Sequence, residues 1–288
     1  MAGNLTGEPR QINAGDFAPR AFIDAMLGWS INLFRIRGIQ LAVHVTFFLL
    51  LAYVANEGWN EGGLAGLLWS VATLLAFFTC VVLHELGHSF TARRYGIRVP
   101  RILLMPIGGM AEFDSIPRRP RHELLITLAG PAVNFAIAAG LWAFVRFPRY
   151  WDGSLNLFSF ADLLRELFVA NLYMGCFNLL PAFPMDGGRI LRAVLALRLP
   201  YLRATFWAAT VGKGVIGLGI AFAFAAPWLH VSEQPLWLLA ILFVFIFFAG
   251  DAEYRAVRRR DQQETFHREW LARLHQRPPL EEPPVLTR

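Results

Sequence analysis

Thr73-Leu74-Leu75-Ala76-Phe77-Phe78-Thr79-Cys80-Val81-Val82-Leu83 runs without a charge into His84-Glu85-Leu86-Gly87-His88. The apolar part belongs to a longer stretch, residues 63–93, which predicts a helix long enough to cross a hydrocarbon core. Three ionisable side chains at its end are costly there, about 2.5–3.5 kcal/mol each at mid-membrane depth, and such groups are usually paired or functional. Residues four apart on a helix share a face. His84 and His88 can therefore grip one metal ion, with Glu85 between them placed to act on metal-bound water.

The rest of the chain repeats the apolar pattern. Of its 288 residues 56% are apolar and 17% charged, against about a quarter charged in soluble domains. The reading is an all-α polytopic membrane protein with about six transmembrane helices. These are expected at 39–55, 63–93, 122–145, 160–180, 205–226 and 235–250, with a short helix at 188–197. Arg93, Arg94, Arg98 and Arg101 follow the second span. Arg189, Arg192, Arg198 and Arg203 follow the fourth, and Arg255 to Arg260 the sixth, whereas Glu57, Glu61 and Glu233 sit in the alternate loops. The positive-inside rule then places both termini in the cytoplasm; Arg146 and Arg149 run against the pattern. Residues 1–38 are expected to be a cytoplasmic segment with no signal peptide, 39–250 the transmembrane domain, and 251–288 a cytoplasmic tail with an amphipathic helix and a Pro-rich end.

Gly108-Gly109 between two short apolar runs reads as a hairpin signal, so a small sheet is expected between the second and third helices. The net charge of +6 is explained by cytoplasmic loops. No basic stripe interleaved with aromatics forms a face for nucleic acid. Cys80 and Cys176 both fall in apolar runs, where free cysteine behaves as a small hydrophobe. Cys80 lies four residues before His84 and could share its face.

Two histidines do not complete a zinc site, which takes three protein ligands and leaves a position for water. Glu112, Asp114 and His122 are the nearest candidates downstream. Asp186 is the stronger one. It follows Asn178-Leu179-Leu180-Pro181-Ala182-Phe183-Pro184-Met185 and precedes Gly187-Gly188. The prolines break the fourth helix, the glycines permit a sharp turn, and broken helices at membrane depth occur where protein or a cavity surrounds them.

Together these residues resemble the site-2 protease family of intramembrane zinc metalloproteases. The marks are H-E-x-x-H on one membrane helix and N-x-x-P-x-x-P-x-D-G on another. Leu128-Ala129-Gly130-Pro131 with Asn134, and Pro106-Ile107-Gly108-Gly109, are similar to family sequences as well. The resemblance implies one zinc ion held by His84, His88 and Asp186, with Glu85 as catalytic base and Asn178 near the substrate or the oxyanion. It implies transmembrane protein substrates and contact with membrane lipids, and a hairpin edge at Gly108-Gly109 that pairs with an extended substrate. Two other readings compete. A metal or proton transporter would need polar residues across the bilayer, and here they cluster on one side. A catalytically inactive membrane-protein binder is disfavoured because every expected catalytic residue is present.

Overall fold

The computed structural model describes residues 28–114, 119–145 and 160–275. Most of the expected N-terminal segment, Arg146, Arg149 and the Pro-rich end lie outside these residues. The chain divides into two compact units, residues 1–116 with 132–173, and residues 117–131 with 174–288.

The first unit opens with two strands that were not expected, and they extend the small sheet that was. Strand β1 (Ser30–Ile36) turns back into β2 (Ile39–His44) through Arg37 and Gly38, both at positive φ. That is the two-residue geometry whose twist matches a hairpin. β2 then pairs in parallel with β3 (Arg101–Met105), which pairs antiparallel with β4 (Gly108–Glu112). The sheet is mixed, in the order β1-β2-β3-β4. Ile39, Leu41, Ala42 and Val43 of β2 and Ile102, Leu103 and Leu104 of β3 are buried, as near-continuous apolar runs in central strands should be.

Two expectations are corrected here. The sheet has four strands and is not confined to the segment between the second and third helices, and the first apolar run does not enter the membrane at Ile39, because residues 39–44 form a strand. His44 ends β2 and N-caps the following helix, its ring accepting from the Thr46 N–H. The hairpin turn is also displaced: Met105 pairs with Gly108, so Pro106-Ile107 form the turn and Gly108-Gly109 begin the second strand.

Helix α1 (Val45–Arg94) is one hydrogen-bonded run of 50 residues, interrupted by non-helical backbone at Gly62 and Gly63. Positive φ at Gly63 lets it fold back on itself. The rings of Phe47 and Phe78 consequently meet at 4.7 Å. A Cβ on Gly66 would lie 2.1 Å from the Gly58 carbonyl oxygen, so only glycine lets the two arms touch there. Helix α2 (Pro120–Val145) follows the β3–β4 hairpin, and α3 (Phe160–Asn178) comes next.

The second unit holds α4 (Asp186–Ala196), α5 (Tyr201–Ala225) and α6 (Trp237–His275). α6 continues unbroken past Gly250, so the last span and the expected tail helix are one element. Asp251, Glu253 and Arg255 change its polarity without supplying a helix breaker, and Asp251 is tied to Lys213 of α5 at 2.7 Å. Among the described residues four helices, α1, α2, α5 and α6, are long and apolar enough to cross a membrane. The count of six is thus not reproduced: α1 supplies one helix with two arms, and α3 carries Asp162, Arg165 and Glu166 in its first half. Large apolar side chains on these helices stay uncovered, Leu218 at 74%, Leu238 at 84% and Phe248 at 63% exposure. Such an extended apolar surface belongs in lipid.

Candidate metal centre

In the first unit the second arm of α1 carries the histidine pair. His84 and His88 are buried, at 5% and 7% exposure. One helical turn sets the rings edge to face, centroids 4.7 Å apart. Their Nε2 atoms face each other at 3.1 Å. Two imidazole nitrogens at this separation share either a proton or a cation.

The other nitrogen of His84 is already committed. Its Nδ1 lies 2.5 Å from Oδ1 of Asn134, on α2. Asn134 Nδ2 donates to Asn171 Oδ1 at 3.1 Å, and Asn171 Nδ2 donates to the Leu167 carbonyl at 2.8 Å. Both amides are fully buried. A metal-ligating histidine commonly donates its second N–H to such a partner, which fixes its tautomer and orientation.

Glu85 is half-buried on the next face of α1 and lies against β4. A Cβ built on Gly109 would stand 2.6 Å from Glu85 Cγ and 3.3 Å from Oε1. The glycine therefore has a reason apart from a turn: it lets the strand backbone approach the carboxylate side chain. Cys80 is buried with a free thiol and has no contact that assigns it a role.

In the second unit Asp186 is buried and begins α4. α3 ends at Asn178, ahead of Pro181, as expected from the prolines. The Phe183-Pro184 peptide is cis. Gly187 and Gly188 do not serve a sharp turn; they lie inside α4. A Cβ on Gly187 would meet the carbonyl oxygens of Leu180 at 2.1 Å and Leu179 at 2.3 Å. Their smallness lets the start of α4 pack directly onto the loop that precedes it. Asn178 is half-buried at the last residue of α3, in the same unit as Asp186.

The same unit holds a charge cluster around Arg192, which was counted only among the cytoplasmic charges after the fourth span. Arg192 is 1% exposed. Its Nε donates to Glu123 Oε1 at 2.8 Å, and Nη2 donates to the same oxygen. The guanidinium carbon lies over the rings of Phe183 and Tyr201, 5.1 Å and 5.2 Å from their centroids. Asn171 was missed altogether, although a lone amide in the apolar run of residues 167–177 is a detectable signal.

A membrane-embedded helical protein with a paired-histidine grip on one arm of a folded helix is the class that this fold and site define. The Peptidase family M50 model matches residues 72–151 and 149–219, so the chain belongs to peptidase family M50, which includes the site-2 proteases. A zinc metalloprotease of Methanocaldococcus jannaschii is 38% identical over 231 residues, which cover 80% of this chain and 62% of that protein. Stage IV sporulation protein FB of Bacillus subtilis is 30% identical over 165 residues, covering 57% of this chain and 51% of the relative. The solved structure of the site-2 protease from Methanocaldococcus jannaschii superposes with a TM-score of 0.53 at 36% identity, covering 78% of this chain and 95% of that one. The chain thus spans a little over half to about 62% of the length of these curated relatives.

Proposed function

We propose that this chain is a zinc metalloendopeptidase that hydrolyses peptide bonds of membrane-spanning proteins near the cytoplasmic face, with one zinc ion per chain. The observation that carries the reading is the buried His84–His88 pair, its Nε2 atoms 3.1 Å apart and the Nδ1 of His84 engaged by an amide. Two imidazoles and one carboxylate suit a catalytic zinc, which keeps a further position open. In this reading Asp186, a buried carboxylate at the start of α4, is the third ligand beside His84 and His88. The names of the relatives, a zinc metalloprotease and a site-2 protease, support the same reading.

When bound, the zinc ion supplies Lewis-acid chemistry that polarises a carbonyl and acidifies water. Glu85 takes the proton of the attacking water and passes it to the leaving amine. Asn178 is the candidate donor toward the developing oxyanion. A substrate helix keeps its carbonyls hydrogen-bonded internally, so it must unwind before cleavage. β4 is an edge strand beside Glu85, and pairing there would satisfy an unwound backbone. The α1 arms count in this reading as two crossings and α3 as another, six in all, with both termini and the metal site toward the cytoplasm.

The test is zinc content and cleavage together. Purified protein is expected to carry one zinc per chain and an Asp186→Ala variant far less. A chelator should stop cleavage of a single-pass model substrate, and added zinc should restore it. Full cleavage by metal-free protein would overturn the reading.

A further inference from the structure

The amide chain behind His84 has a direction, and the direction is forced. It ends on the backbone carbonyl of Leu167, which can only accept. Asn171, one turn on in α3, must therefore turn its NH2 toward that carbonyl. Its Oδ1 is left to face Asn134 and accepts from the Asn134 NH2. That in turn leaves the Asn134 Oδ1 facing His84, where it requires an N–H on Nδ1. A neutral imidazole with its proton on Nδ1 carries its lone pair on Nε2, the atom that faces His88.

We infer that Asn171, acting through Asn134, fixes the proton of His84 on Nδ1 and so presents Nε2 as a metal donor: Asn171 is a positioning residue for the metal centre. The inference rests on His84 being a metal ligand. An amide pair between membrane helices can also be simple adhesive, but adhesion works with the amides turned either way. The relay works in one sense only. With Asn171 gone, the Asn134 amide loses the acceptor that orients it. Its NH2 can then rotate toward His84, which stabilises the tautomer with the proton on Nε2.

The experiment measures zinc affinity by chelator competition on the full chain in detergent, without reference to cleavage. Asn171→Leu is expected to weaken zinc binding about 10- to 100-fold, the range for partners that orient a metal-ligating histidine. Asn134→Asp presents only acceptors to His84, so its binding should no longer depend on position 171. The double variant Asn134→Asp with Asn171→Leu should therefore bind zinc as Asn134→Asp does. An adhesive role predicts the opposite, a further loss in the double variant. Should Asn171→Leu fail to fold, the comparison of Asn134→Asp with and without Asn171→Ala decides the matter, and a further tenfold loss overturns the relay. His84→Ala serves as the separate check on the underlying assignment. If it binds zinc normally, the ligand reading fails; if it loses zinc while Asn171→Leu binds within twofold of the parent, only the relay fails.

Discussion

Arg192 and Glu123 form an ion pair that scarcely touches water, the arginine 1% and the glutamate 3% exposed. Two guanidinium nitrogens converge on one carboxylate oxygen, and the cation stands over the rings of Phe183 and Tyr201. Phe183 lies three residues before Asp186, on the loop that carries it. The pair thus fastens α2, α4 and α5 around the segment that delivers the carboxylate. Removing one partner of such a pair leaves a buried charge uncompensated, which costs about 3–5 kcal/mol. Arg192→Ala is expected to lower the thermal unfolding temperature in detergent markedly. Replacing both partners, Arg192→Met with Glu123→Leu, should recover most of the loss. A double variant as unstable as the single one would show that packing, and not charge, is what the position supplies.

Gly187 makes the same loop sensitive to a single methyl group. An added Cβ would fall 2.1 Å from the Leu180 carbonyl oxygen, and backbone atoms cannot step aside as a flexible side chain can. Gly187→Ala should therefore move the start of α4 and Asp186 with it. The expected outcome is a loss of bound zinc of at least tenfold in affinity, accompanied by reduced stability. Normal zinc content in a folded Gly187→Ala protein would mean that the start of α4 has room to shift without cost.

The candidate metal ligands are legible in the sequence because their signals are local. H-E-x-x-H needs only helical spacing, and Asp186 stands out as a carboxylate between prolines and glycines. The sheet was less so. Ile39 to His44 is apolar and runs straight into the apolar start of α1, and a short apolar run carries no periodicity that separates strand from helix. The Arg37-Gly38 turn before it is not one of the dipeptides that mark a hairpin in sequence. Arg192 misled for a different reason: its charge fitted the positive-inside pattern, and nothing nearby announced Glu123, which is 69 residues away. Asn134 and Asn171 meet across 37 residues, a contact that no spacing rule can reach.

Glu85 is assigned as the proton carrier, and it can be separated from metal binding. Glu85→Gln keeps the side-chain shape, so zinc content should be unchanged while cleavage of a single-pass substrate falls by about 10²–10⁴-fold, the usual worth of general acid–base catalysis. Zinc measured by elemental analysis and cleavage followed on a gel suffice. Cleavage at the parent rate would remove Glu85 from the mechanism.

Gly109 offers the finest probe of the site, because it touches the proposed base and neither histidine is involved. A Cβ at this position would lie 2.6 Å from Glu85 Cγ, closer than carbon atoms tolerate. Something must yield, either the end of the Glu85 side chain or the edge strand β4. In the first case Glu85 is displaced by a fraction of an ångström to an ångström, and misplacement on that scale can cost about 100-fold in rate. In the second case the strand edge moves away, and a substrate that pairs with it binds less well. The two are distinguishable: displacement of Glu85 lowers kcat at an unchanged KM, whereas a shifted edge raises KM. Both leave zinc bound. Gly109→Ala is therefore expected to retain its metal and lose at least tenfold in kcat/KM, and Gly109→Val should lose more. If Gly109→Ala cleaved at the parent rate, neither Glu85 nor the β4 edge could be working at the position this structure gives them.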